Sequence, residues 1–103
     1  MSDLLDRLAS CTGFEWDTGN AEKNWEQHRV SRGECEQVFF NRPLRVAVDI
    51  KHSRGENRYA ALGQTSSGRL LTIIFTLRDD RIRVISARAM SRRERSLYEP
   101  EER

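Results

Sequence analysis

A chain of 103 residues, 37% apolar and 33% charged, has room for one modest core under a surface dense in charge, and not for two domains. Its net charge of +2 is uneven: residues 54–95 hold ten arginines against four acids, net +6, while the segments before and after are each net −2. Two cysteines and two isolated histidines give neither a disulfide framework nor a zinc-ligand spacing, and no apolar run is long enough to span a membrane.

The opening MSDLLDRLASCTG lacks the basic start and sustained apolar run of a secretory signal, which predicts a cytoplasmic protein. Residues 1–13 read as a leader, with a short amphipathic helix over 2–10 that places Leu4, Leu5 and Leu8 on one side. The domain proper is expected over 14–99, followed by a frayed tail at 100–103. Phe14-Glu15-Trp16-Asp17 alternates aromatic and acidic residues, a short strand signal. Asp17 or Thr18 then caps a helix to His28, with Ala21, Trp25 and His28 on its inner face and Trp25 as core anchor. Ser31 caps a second helix to about Phe40, with Cys35, Val38 and Phe39 facing inward; Asn41-Arg42-Pro43 stops it.

Four strands are predicted next, over 44–51, 58–65, 69–77 and from Arg81. The third is nearly all apolar and should be the central one, covered on both faces. In the fourth, Ile82, Val84, Ser86 and Arg88 are expected on one face and Arg81, Arg83, Ile85 and Ala87 on the other. Ser91 and Glu94 form a capping box that opens a last helix to Tyr98. Short connections between the strands favour an antiparallel meander. The predicted class is therefore α+β: an antiparallel sheet of about four strands, two N-terminal helices and one C-terminal helix. With the helices on one face, the other is left for a ligand or partner, while the apolar run over 70–77 implies that part of it is covered as well.

Seven arginines stand between Arg78 and Arg95. Arginine is always charged and presents a planar fork suited to phosphate. Arg58, Arg69, Arg81, Arg83 and Arg88 belong to strands, Arg92 and Arg93 to the start of the last helix, and Lys23 to the first long helix; these are candidate RNA contacts. No P-loop, Gly-rich cofactor motif or nucleophile signature is present, so no cofactor is expected. One chemistry fits without a metal. RNA carries its own nucleophile, the 2′-OH, and needs in-line orientation, a base and cations to neutralise the phosphate. Candidate bases are His28, His52, Glu56, Glu94 and Lys23. The bland readings stand beside these: Arg83 and Arg88 as salt-bridging strand residues, Glu94 as a capping residue alone, Tyr98 as packing, and Trp16 and Trp25 as core. Without a base, the same kit would only bind RNA or an acidic partner.

The segments FEWD, AEKNWEQHRVS, VFFN with a proline two residues on, GENRYAALG and RIRVISARAMSRRERSLYE, in that order, resemble the BrnT family of type II toxins. The resemblance implies a compact RelE-like ribonuclease fold and an RNA-cleaving toxin that halts translation. It also implies an antitoxin of the BrnA type, which would carry the DNA-binding part. Among catalytic candidates it marks Arg58 after GEN, Arg83 and Arg88 in IRVISAR, Glu94 and Tyr98 in the last helix, and His28. Gln27-His28-Arg29-Val30 departs from the family's Lys-His-Gly-Val, so a left-handed turn there would fall on Arg29 instead of glycine. The alternative function is a degenerate toxin that binds an acidic antitoxin or RNA without cleaving.

Overall fold

A computed structural model describes residues 3–49 and 55–99. Its elements run α1 (Asp3–Ala9), β1 (Gly13–Glu15), α2 (Thr18–His28), α3 (Arg32–Phe40), β2 (Arg45–Val48), β3 (Tyr59–Gln64), β4 (Leu70–Arg78), β5 (Arg81–Ala89) and α4 (Arg92–Tyr98). The class is α+β, as the sequence implies. The sheet has five strands in the order β1-β5-β4-β3-β2, with the apolar β4 at its centre. Strands β2 to β5 form the antiparallel meander. The fifth strand is β1, which pairs parallel to β5 through Gly13↔Arg81, Phe14↔Ile82 and Glu15↔Arg83, so the sheet is mixed. It precedes two helices in sequence, and its pairing with a distant strand leaves no local mark.

Each long helix begins where a side chain takes up a free backbone N–H. Asp17 accepts from the Asn20 amide at the start of α2. Ser31 with Glu34, and Ser91 with Glu94, form complete capping boxes on α3 and α4. Helix α2 ends on Arg29 in the left-handed conformation, φ 53° and ψ 43°. That conformation costs a non-glycine residue about 1–2 kcal/mol. Arg69 offsets part of it by donating to the freed carbonyls of His28 (3.0 Å) and Arg29 (2.7 Å) and pairing with Glu34 at 3.2 Å.

The core lies between one sheet face and the helices α2 and α3. Val38, Leu71, Ile73, Phe75 and Val84 are fully buried there. Phe39 meets Phe75 edge-on at 5.1 Å, and Phe14 meets Phe39 at 5.7 Å. Helix α3 sits close on β3 because Gly63 has no side chain: a Cβ there would lie 2.7 Å from Val38 Cγ1. Leu4 and Leu8 of α1 pack against the edge of this core. Beside them an apolar groove of about 370 Å³ runs between α1 and the exposed Phe40.

Two expectations give way. Trp25 is 48% exposed and is not the core anchor of α2; Asn24 is fully buried in its place. The reason is an open strand edge. Strand β1 covers β5 only as far as Arg83, and beyond it Asn24 Oδ1 accepts from the Ala87 N–H at 3.2 Å. An indole could not have satisfied that donor. The second correction concerns β5, which carries a β-bulge: Phe75 pairs with Val84 but Ile74 pairs with Ser86, leaving Ile85 as the extra residue. The alternation reverses there. Ile82, Val84 and Ala87 face the core, while Arg83, Ser86 and Arg88 share the outer face. The outer face is covered in part, as the apolar run of β4 implies. Helix α4 lies over part of it, held by Glu94 on Thr72 Oγ1 (2.8 Å) and by the Tyr98 hydroxyl donating to the Pro43 carbonyl (2.6 Å).

Candidate functional site

The bulge at Ile85 sets two of the candidate arginines on one sheet face. Residues 83 and 88 differ by an odd number and would point to opposite sides of a regular strand. With Ile85 looped out, both arginines stand on the outer face, opposite Thr76 and Thr72 respectively. Those threonines are four residues apart on β4, which places the two arginine rows about 13 Å apart at strand rise. Arg58 precedes Tyr59, which pairs with Phe75, so it joins the Thr76–Arg83 row on the same face. Arg81 also belongs to this face, exposed near the turn into β5. The centre of the face holds Ala60, Ile74 and Ser86, all half-buried.

Both arginines are held by carboxylates. Arg83 is 19% exposed and donates from Nη1 to Glu15 (3.2 Å) and from Nη2 to Asp17 (3.1 Å). Arg88 grips Glu94 through both Nη atoms, at 2.7 and 2.9 Å, and Nη1 also donates to the Ala89 carbonyl. Glu94 is heavily used: Oε1 takes Arg88, Thr72 and the Ser91 N–H together. Arg88 beside it, helped by the Ser91 and Thr72 donors, overcomes the opposing effect of burial and holds its carboxyl down at about 2. The same pair raises Arg88. Its contacts make Glu94 the anchor of Arg88 and the cap of α4.

The remaining candidates stand apart from this pair. Tyr98 is buried, its hydroxyl on Pro43, its ring 6.0 Å from the Arg45 guanidinium, and burial pushes its phenol up. It ties α4 to the start of β2. His28 is exposed at the end of α2, where its carbonyl receives Arg69. Arg69 is thereby a clamp on the helix end, away from the two arginine rows. Lys23, Arg92 and Arg93 are exposed on their helices. Glu56 pairs with Arg78 at 3.3 Å. His52 lies outside the described residues. Among the described residues no group of three or more His, Cys, Asp and Glu is placed to hold a metal ion. Sequence reasoning missed Glu15 and Asp17 as partners of Arg83. The signal was present in part, since Asp17 was visible as a cap and Glu15 as the acidic residue alternating with two aromatics.

A family model described as the ribonuclease toxin BrnT of type II toxin–antitoxin systems matches residues 16–94. The chain belongs to the BrnT family. Arg58, Arg83, Arg88 and Glu94 all fall inside the matched segment, whereas α1 and Tyr98 fall outside it. The fold is similar to the crystal structure of the Brucella abortus ribonuclease toxin BrnT, with a TM-score of 0.60 at 19% identity, covering 79% of this chain and 99% of that one. Among curated proteins no relative matches. A BrnT toxin is a ribonuclease by family description, and membership of a type II system implies an antitoxin partner. No helix among the described residues is long and apolar enough to cross a membrane.

Proposed function

We propose that this chain is a metal-independent endoribonuclease that cuts RNA by attack of the 2′-OH on the adjacent phosphodiester. The observation that carries this reading is the bulge at Ile85, which sets Arg83 and Arg88 on one sheet face. In the reaction the 2′-oxygen bonds to phosphorus and the bond from phosphorus to the 5′-oxygen breaks. The 2′ proton goes to a base and the 5′-oxygen takes up a proton. The products are a 2′,3′-cyclic phosphate and a 5′-hydroxyl. Negative charge builds on the phosphate oxygens in the transition state, and preorganised guanidinium groups stabilise it most where water is partly excluded. Arg83 and Arg88 fit that role, with Arg58 in the same row as Arg83. Exposed Arg81, Arg92, Arg93 and Lys23 would add weaker, salt-sensitive contacts to flanking phosphates.

The toxin acts in the cytoplasm on cellular RNA and stops translation, and a BrnA-like antitoxin neutralises it. The antitoxin carries the DNA-binding part, and the two chains form a hetero-oligomer. A second reading draws on the ion pairs: arginines already held by carboxylates can serve a basic module that binds an acidic antitoxin or RNA without cleaving. Growth of cells expressing Arg83→Ala or Arg88→Ala separates the two. If the arginines catalyse, each folded variant loses toxicity while still binding the antitoxin. Toxicity equal to wild type in both folded variants contradicts the catalytic reading.

A further inference from the structure

We infer that Asp17 and Glu94, with Glu15, are positioning residues that aim the two guanidinium groups at a common phosphate track, an inference that rests on the ribonuclease reading above. The two arginines are held by the same device. In each case a carboxylate at a helix start bonds both to a backbone N–H of that start and to the arginine. Asp17 Oδ1 accepts from the Asn20 N–H at the start of α2, and its Oδ2 takes Arg83. Glu94 Oε1 accepts from the Ser91 N–H at the start of α4 and from Arg88 Nη1, and its Oε2 takes Arg88 Nη2. The two helix starts are thus tied to the two arginine rows of one sheet face. A side chain with four rotatable bonds is thereby fixed at its tip before any substrate arrives, which lowers the ordering cost of catalysis.

The carboxylates do not use up the guanidinium groups. Arg88 presents its Nη1–Nη2 end to Glu94, leaving Nε–H and a second Nη2 proton without a partner among the described residues. Those two donors form the other edge of the fork, the one a phosphate accepts from bidentately. Arg83 spends one proton on Glu15 and one on Asp17, and its Nε–H has no partner among the described residues. Glu94 also bonds to Thr72, the cross-strand neighbour of Arg88, so its grip is referenced to the sheet as well as to the helix.

Amide substitutions separate this role from helix capping. Asparagine caps a helix as well as aspartate, and glutamine keeps the capping box. Asp17→Asn and Glu94→Gln therefore retain the caps, yet each places an NH2 group where the arginine needs an acceptor. Both also make the face more basic. Simple masking of charge by these acids would give variants that bind RNA more tightly and cleave it as fast or faster. Positioning predicts the reverse for the chemical step: kcat falls at least tenfold in each variant and KM stays equal or drops, measured at a temperature where circular dichroism shows each variant folded. In nitrogen-15 spectra the separate Nη signals of Arg83 and Arg88, resolved in the wild type by hindered rotation, should merge in the matching variant. Unchanged kcat in folded variants overturns the inference. A wild-type chain that cuts no RNA overturns the ribonuclease reading instead, and the Nη signals then decide the positioning by themselves: merged signals in the variants support it, and signals unchanged from the wild type refute it.

Discussion

The Arg88–Glu94 pair gives the structure a pH-dependent part of its stability, and Arg88→Ala isolates it. In the folded protein the Glu94 carboxyl is held down from 4.5 to about 2. A group depressed in this way stabilises the fold fully above its unfolded value, and the contribution disappears as pH falls through the folded value. A displacement of that size corresponds to at most about 3 kcal/mol. The Glu94 side chain is 22% exposed and Arg88 is 39% exposed, so water screens the pair. The contribution of Arg88 is then about 1–2 kcal/mol, since the Ser91 and Thr72 donors remain in the variant. Urea unfolding of both proteins at pH 7, 4.5, 3 and 2 measures it. The variant should be less stable by about 1–2 kcal/mol at pH 7, and the gap should narrow steadily below pH 4.5 to a small remainder, under about 0.5 kcal/mol, at pH 2. A gap of the same size at pH 7 and pH 2 would show that Arg88 acts through packing of its carbon chain, and the electrostatic reasoning would be wrong.

Other consequences follow from single contacts. Gly63→Ala forces a methyl group into Val38 Cγ1, 2.7 Å away, and should destabilise by about 1–3 kcal/mol in chemical denaturation. Asn24→Leu removes the acceptor for the buried Ala87 N–H and should cost about 1–3 kcal/mol despite its greater hydrophobicity, measured by thermal unfolding. Burial pushes the Cys35 thiol up to about 12, so iodoacetamide at pH 8 should leave it unmodified in the folded protein and alkylate it in urea.

Local signals were legible in the sequence and non-local ones were not. Ser31 with Glu34 and Ser91 with Glu94 announce their helices because a capping box is complete within four residues. The apolar run of β4 marks the sheet centre for a similar reason. Trp25 misled because a helix wheel lets either it or Asn24 face inward, and burying an asparagine is unfavourable unless something bonds to it. That bond comes from Ala87, 63 positions away. The bulge left one trace. Val84 and Ile85 are adjacent apolar residues, which breaks strict alternation and lets Ala87 turn inward. Reading β5 as regular put Arg83 and Arg88 on opposite faces, and the site could not be assembled from sequence for that reason. Arginine-to-acid partnerships were equally hidden, because Glu15 and Asp17 reach Arg83 only through the parallel pairing of β1 with β5.

If Arg83 and Arg88 support RNA cleavage by the RNA's own 2′-hydroxyl, the reaction needs no metal and leaves a characteristic end group. The most direct test is incubation of the purified chain with a defined RNA in EDTA, with end-group analysis of the fragments, beside Arg83→Ala and Arg88→Ala checked for folding by circular dichroism. The intact chain should give fragments ending in a 2′,3′-cyclic phosphate, and both folded variants should lose them. Fragments with 3′-hydroxyl ends, cleavage that requires added divalent metal, or undiminished cleavage by the variants would contradict that mechanism.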